Sequence, residues 1–257
     1  MDPRLAAFER LLNIMDDLRE KCPWDKKQTL ESLRHLTIEE TYELADAILD
    51  KDMEGLKGEI GDLMLHLVFY SKIASEKKAF DITDVLTAIC DKLVYRHPHI
   101  YGDIEATDEE TVKANWEKLK LKEGKNSVLG GVPKSLPALV KASRIQDKVK
   151  GVGFDWDHEV QVWEKVEEEI DELKEELKKK DGEVEAEFGD VLFSLINYAR
   201  FIGVNPEDAL ERTNKKFILR FQQLENLIKA DDKEITDMNL EHLDDYWEKA
   251  KILLKFK

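Results

Sequence analysis

Cysteine, proline and glycine are all scarce in this chain of 257 residues. The two cysteines, Cys22 and Cys90, stand far apart with no CxxC spacing. That excludes a disulfide framework and a thiolate zinc site, and it fits a reducing compartment. Six Pro and twelve Gly make up about 7% of the chain, against roughly 12% in average usage. So few turn formers exclude a sandwich or barrel and leave long helices. Long hydrophobic runs are missing too. The most apolar stretch, Leu63 to Tyr70, contains His66 and falls far short of the roughly 20 residues that cross a bilayer. The amino-terminal stretch MDPRLAAFERLLNIMDDLRE is amphipathic and has neither an apolar h-region nor a small-residue cleavage site. It is expected to be the first helix of a cytoplasmic protein. Basic residues are outnumbered, 40 against 56 acidic ones, for a net charge of −16. This balance excludes a general nucleic-acid binder or a protein held to an anionic membrane.

What the chain does have is helical periodicity. Apolar residues recur at three- and four-residue spacing, predicting helices near 3–21, 28–50, 54–77, 82–96 and 108–121. The period breaks at KEGKNSVLGGVPKSLP, Lys122 to Pro137, which holds three Gly and two Pro. It resumes near 138–149, 160–180, 183–203, 206–229 and 238–254. The expected organisation is an all-α chain of two domains, 1–121 and 138–257, joined by a linker at 122–137. Gly130-Gly131 lacks the GK[ST] of a phosphate loop and reads as part of that linker.

The two halves repeat each other. Trp24-Asp25 answers to Trp156-Asp157, and Glu39-Glu40-Thr41-Tyr42-Glu43 answers to Glu168-Glu169-Ile170-Asp171-Glu172. Glu59-Ile60-Gly61-Asp62 answers to Glu187-Phe188-Gly189-Asp190, Lys92 and Arg96 to Lys216 and Arg220, and NWEKLK from Asn115 to YWEKAK from Tyr246. Five collinear matches signal a tandem repeat of one helical unit.

The repeated acidic strings carry the chemistry. On a helix Glu39, Glu40 and Glu43 crowd an arc of about 100°. Glu59 and Asp62 share a face of the next helix, and a short turn near Lys51 to Glu54 would return that helix antiparallel to the first. Five carboxylates can then converge. Glu40 also interrupts the apolar stripe Leu33, Leu36, Leu44, Ala47, where an unpaired charge is costly. Like charges at i,i+4 disfavour an isolated helix by roughly 0.2–0.5 kcal/mol per pair, a sign that a bound dication reverses. All-oxygen donors select a hard cation, Mg²⁺ by default with Mn²⁺ as a substitute, and Mg²⁺ is commonly shared with substrate phosphates. The plainer alternative is a solvated acidic face. Lys92 with Arg96, and Lys216 with Arg220, are candidate phosphate-facing cations as well as ordinary surface pairs.

Among the remaining residues, Trp163 is in step with Val166, Ile170 and Leu173 and is expected in the core. Trp116 and Trp247 precede basic residues and could stack on a base. His66 reads as a hydrogen-bonded core histidine, with a place beside the metal as the alternative. His97 and His99, around Pro98, read as shaping a turn.

EExxE followed after a turn by ExxD, duplicated and flanked by GFDW, RHPHIYGD and WEKxK strings, resembles the MazG family of nucleoside triphosphate pyrophosphohydrolases across essentially the whole chain. The resemblance implies an all-α fold and Mg²⁺-dependent hydrolysis of nucleoside triphosphates, ribo and deoxyribo, to a monophosphate and pyrophosphate. It implies metal ligands at Glu168 or Glu169, Glu172, Glu187 and Asp190, with Lys165, Lys216 and Arg220 facing the phosphates. Asn214 belongs to the same set, and Trp247 and Lys251 would lie near the nucleotide. In the first copy Glu39, Glu40, Glu43, Glu59 and Asp62 complete the acidic set, but Leu36 stands in place of Lys165 and Cys90 in place of Asn214. The second copy is therefore expected to be the principal catalytic one. The expected mechanism is metal-assisted attack of water with a Glu accepting its proton. The family also implies a homodimer and broad nucleotide cleansing. A narrower pyrimidine-nucleotide pyrophosphatase, or a non-catalytic acidic helical module, is the alternative. A di-iron bundle is disfavoured because the Glu-x-x-His pairs it needs are missing.

Overall fold

Asp2 and Pro3 begin the first helix, α1 (Pro3–Lys21). The Asp2 carboxylate accepts from the Arg4 amide at 2.9 Å, and proline is preformed for a first helical turn. In this computed structural model, which describes residues 2–102 and 127–255, every regular element among the described residues is helical. The chain divides into two units, Met1–Leu119 and Lys120–Lys257. None of the described helices is long and apolar enough to cross a membrane. The helix expected at 108–121, with Trp116 in it, lies outside the described residues.

In the first unit α2 (Leu30–Asp50) starts from a reciprocal cap. The Thr29 hydroxyl accepts from the Ser32 amide, and the Ser32 hydroxyl accepts from the Thr29 amide. It stops at Lys51, whose positive φ of 58° reverses the chain. Asp52 then caps α3 (Met53–Glu76) by accepting from the amides of Glu54 and Gly55. The α2–α3 hairpin closes on α1 through the buried side chains of Met15, Leu33, Val68, Phe69 and Ile73. Arg19 ties the open end, reaching Glu76 on α3 and the carbonyls of Asp25 and Gln28 while lying over the Phe69 ring. Helix α4 (Ile82–Arg96), capped by Asp81, and a short helical turn at Pro98–Tyr101 follow.

The second unit repeats the hairpin with α5 (Ala138–Lys150), α6 (Glu159–Glu176) and α7 (Val184–Phe201). The α6–α7 turn requires glycine, because a Cβ at Gly182 would sit 2.2 Å from the Glu176 carbonyl oxygen. Val162 and Val166 of α6, and Val191 and Ile196 of α7, are buried. Helices α8 (Pro206–Ala230) and α9 (Leu240–Leu254) form a further pair around Leu224, Ile228, Tyr246 and Ala250. Within the stretch expected as linker, Val128–Gly131 makes a 3-10 turn, and the Val128 carbonyl accepts from Lys148 of α5 at 3.2 Å.

Leu33 is wholly buried, so Leu33→Ala should remove about 2–5 kcal/mol of stability, read as a lowered urea midpoint with helicity retained before the transition. A loss below about 0.5 kcal/mol would contradict this packing.

Candidate metal centres

The stripe that Glu40 interrupts is the inward face of α2: Leu33 is buried, and Leu36, Leu44 and Ala47 are half-buried. Glu40 therefore meets α3. Carboxylate oxygens of Glu40, Glu43 and Glu59 lie within 4.8 Å of one another. Asp62, one turn beyond Glu59, adds its charge. Burial first, then Asp62, Glu43 and Glu59, raises the Glu40 carboxyl above the ordinary glutamate range. Glu39 is exposed and is not among the three carboxylates that come together.

In the second unit Glu169, Glu187 and Asp190 bring carboxylate oxygens within the same 4.8 Å. Glu169 is only 8% exposed, a burial that an acidic side chain rarely reaches without a partner. Its partner is Lys165, whose ammonium lies 2.8 Å from both Glu168 and Glu169 and is held charged well above the usual lysine range by those two bonds. Burial, then the charges of Glu172, Asp190, Glu176 and Glu169, raises the Glu187 carboxyl. Glu168 and Glu172 are exposed at the rim of the triad and not part of it.

Both triads suit a small hard cation by the chemistry of their donors. All are carboxylate oxygens, and ligands of one octahedral ion at about 2.1 Å stand about 3–4 Å apart, a spacing that small side-chain rotations reach from 4.8 Å. In both triads burial comes first and neighbouring carboxylates second in raising a carboxyl, Glu40 in one and Glu187 in the other.

The expected cations and aromatic groups sit elsewhere in their units. Lys216 and Arg220 belong to α8, where Asn214 donates to Glu211 at 3.2 Å. Trp247 and Lys251 belong to α9. Trp247 packs against Phe217 with ring centroids 5.0 Å apart, and Lys251 pairs with Glu248 at 2.6 Å. Lys92 and Arg96 lie on α4, Lys92 exposed and Arg96 half-buried.

Two expectations fail. Trp163 is 42% exposed, not core: the buried stripe runs through Val162, Val166 and Glu169, and Trp163 is rotated about 100° from Val162. Its indole donates to Glu167 at 3.0 Å, and its ring meets the edge of Tyr198. His66 is buried as expected, yet its Nδ1 has no hydrogen-bond partner, and burial lowers its pKa against the opposing pull of Asp62.

The sequence reading also passed over a cavity of about 260 Å³ beside the second triad. Lys165, Glu169 and Asp190 line it together with Gln146, Phe154, Trp156, Phe193, Ser194 and Asn197. The Asp155 carboxylate accepts from Arg200 at 2.9 Å, and the Asn197 Oδ1 accepts from the same guanidinium at 2.8 and 3.0 Å. A signal for Gln146 was present: it follows Leu139 and Ala142, and precedes Val149, on one helical stripe, as Glu40 does on α2.

Comparison with known proteins agrees with this arrangement. A family model described as the MazG nucleotide pyrophosphohydrolase domain matches residues 28–101 and 159–224, and each match contains one hairpin and its triad. The Thermotoga maritima protein named nucleoside triphosphate pyrophosphohydrolase/pyrophosphatase MazG is 45% identical over 249 residues, covering 95% of both chains. The Escherichia coli K12 nucleoside triphosphate pyrophosphohydrolase is 42% identical over 257 residues, covering 96% of this chain and 98% of its own. The chain belongs to the MazG family, and carries its domain twice.

Proposed function

We propose that this protein is a nucleoside triphosphate pyrophosphohydrolase, cleaving ribo- and deoxyribonucleoside triphosphates of broad range to the monophosphate and pyrophosphate in the cytoplasm. The observation that carries the reading is the Glu169, Glu187 and Asp190 triad opening onto the cavity lined by Gln146, Ser194 and Asn197, inside one of two matches to the family. Names of the full-length relatives support the same reaction.

In this reading Glu169, Glu187 and Asp190 hold Mg²⁺, or Mn²⁺ in its stead, and Glu172 completes the set. The ion supplies charge neutralisation of the triphosphate and polarisation of its phosphoryl oxygens. Lys165, which bonds Glu168 and Glu169 at 2.8 Å, would be placed to donate to a phosphate oxygen. Glu168, outside the triad, accepts the proton of the attacking water. Lys216 and Arg220, with Asn214 on the same helix, face the phosphates, and Trp247 and Lys251 lie near the nucleotide; Lys92 and Arg96 are the first unit's counterparts of Lys216 and Arg220. Glu40, Glu43, Glu59 and Asp62 hold a second ion. The second unit is the principal catalytic copy, because it has Lys165 where the first has Leu36.

The working form is a homodimer. Leu86 and Leu93 of α4, with exposures of 43% and 41%, and Phe217, Ile218 and Leu219 of α8, with exposures of 52–57%, leave apolar surface in each unit that a second copy can cover. Size exclusion with light scattering should return about twice the mass of one chain, and a monomer mass would reject the dimer.

Three outcomes test the reaction and its ion. Wild-type protein with Mg²⁺ should release pyrophosphate from nucleoside triphosphates, and chelation should stop it. Glu187→Gln or Asp190→Asn should lower kcat/KM at least about 100-fold, since loss of a ligand removes several kcal/mol of charge stabilisation. Near-normal turnover in both variants would sink the assignment. The third outcome concerns pH. Raised carboxyls mean that the native state binds more protons than the unfolded chain just above the ordinary glutamate pKa of 4.5, so without metal stability falls as pH rises through that window. Mg²⁺ competes with those protons. Its stabilisation, about 2.7 kcal/mol at a hundred times Kd, should appear as a rise in Tm at pH 7.5 and be smaller at pH 5, nearer the ordinary glutamate value. Equal shifts at the two pH values would exclude the carboxylates as the binding groups.

A further inference from the structure

The cavity beside the second triad contains polar groups whose hydrogens and lone pairs can be accounted for. Gln146 is 4% exposed, and its Nε2 donates to the Phe193 carbonyl at 2.8 Å. That bond fixes the orientation of the amide, because only the N–H₂ end can meet a carbonyl oxygen. Its Oε1 is left buried and without a partner. A buried acceptor in that condition is unfavourable until a donor reaches it. Ser194, 7% exposed, commits its hydroxyl hydrogen to the Val191 carbonyl at 2.9 Å, so its oxygen is available as an acceptor. Asn197 is the reverse case. Its Oδ1 takes two bonds from Arg200, and its Nδ2 hydrogens remain as donors. The residues that carry these two acceptors and one donor line the same cavity, which the aromatic side chains of Phe193 and Trp156 also line.

We propose that this cavity is a nucleobase subsite that reads the amidine edge common to adenine and cytosine. The exocyclic amine gives its two hydrogens to Gln146 Oε1 and Ser194 Oγ, and the adjacent ring nitrogen accepts from Asn197 Nδ2. The inference rests on the triphosphate reading, since the triad at the cavity's edge is what holds the phosphates. Uracil, thymine and hypoxanthine carry a carbonyl oxygen in place of that amine and set it against the Gln146 oxygen. Hydrogen bonds to the base edge supply the discrimination, while apolar and aromatic walls stack on any base, so the preference is graded within a broad substrate range. Gln146 and Asn197 are the specificity-determining residues, and Arg200 and Asp155 are positioning residues that hold the Asn197 amide in its orientation.

The test is a cycle between enzyme and substrate. Wild-type protein and Gln146→Met, which keeps the side chain's length and removes the acceptor, are each assayed for pyrophosphate release. The substrates are ATP and purine riboside triphosphate, which lacks only the 6-amino group. Wild type is expected to favour ATP at least tenfold in kcat/KM, and Gln146→Met to bring that ratio within about twofold of unity. CTP should likewise exceed UTP, and ATP should exceed ITP, in the wild type. Equal kcat/KM for ATP and the amine-free analogue in wild-type protein overturns the subsite whether or not the variant folds, and is the result expected if Gln146 Oε1 bonds only to water. Retention of a tenfold preference by a folded Gln146→Met also overturns it. Absence of pyrophosphate release from every nucleotide is a different failure, which overturns the triphosphate reading and this inference with it.

Discussion

Repulsion among carboxylates that two helix hairpins force together is the constraint around which this structure is arranged. A hairpin that packs Leu33 and Val68 against each other has no choice about Glu40, which lies on the same inward face of α2 and meets Glu59 across it. The unfavourable term is local and electrostatic, and the favourable term that outweighs it is the burial of the apolar stripe on either side. The two units resolve the conflict differently. Where Lys165 stands four residues before Glu169, an ammonium lies inside the acidic cluster and shares itself between two carboxylates. Where Leu36 stands instead, the side chain at that position carries no charge, and burial, followed by the charges of Asp62, Glu43 and Glu59, raises the Glu40 carboxyl. One fold thus holds two acidic clusters that differ in the residue four positions before the inward glutamate, Leu36 in one and Lys165 in the other.

That difference bears on which copy turns over substrate. In the proposed reading, an ion on Glu169 would leave Lys165 free for an anionic partner at the same place. The first unit has a comparable carboxylate triad, with Leu36 at the position that Lys165 takes in the second. Its neighbouring buried polar group is His66, 128 positions before Ser194, with its Nδ1 unsatisfied and its protonated form disfavoured by burial. Divergence after duplication has therefore fallen on the groups around the carboxylates while the hairpins and the acidic strings stayed the same.

Much of this could be read from the sequence because helical periodicity and charge together identify a face. Glu40 in an apolar stripe, the i,i+3 spacing of Glu59 and Asp62, and the turn between them were enough to predict the hairpin and its cluster. Angular resolution was the limit. Adjacent helical residues differ by about 100°, so Glu39 and Glu168 looked equivalent to Glu40 and Glu169 although one of each pair faces solvent. The same coarseness put Trp163 in the core, where Val162 and Val166 leave no room in the stripe. The pairing of α8 with α9 around Leu224, Ile228, Tyr246 and Ala250 was not read from the sequence.

Polar residues within apolar stripes are the common thread among the groups that matter. Glu40, Glu169 and Gln146 each occupy a position that periodicity reserves for an apolar side chain, and each is buried or half-buried. Burial strips water from such a group, so the fold tolerates it only where a partner restores the lost interaction. For Glu169 that partner is in the chain, as Lys165. For Glu40 the groups that act on it among the described residues are the carboxylates of Asp62, Glu43 and Glu59, an environment that suits a cation. Gln146 has half of its amide satisfied by Phe193, and by the same logic the other half must face a donor that the protein itself does not supply. A residue of this kind states the chemistry of what is absent: positive charge for the carboxylates, and an N–H for the amide oxygen.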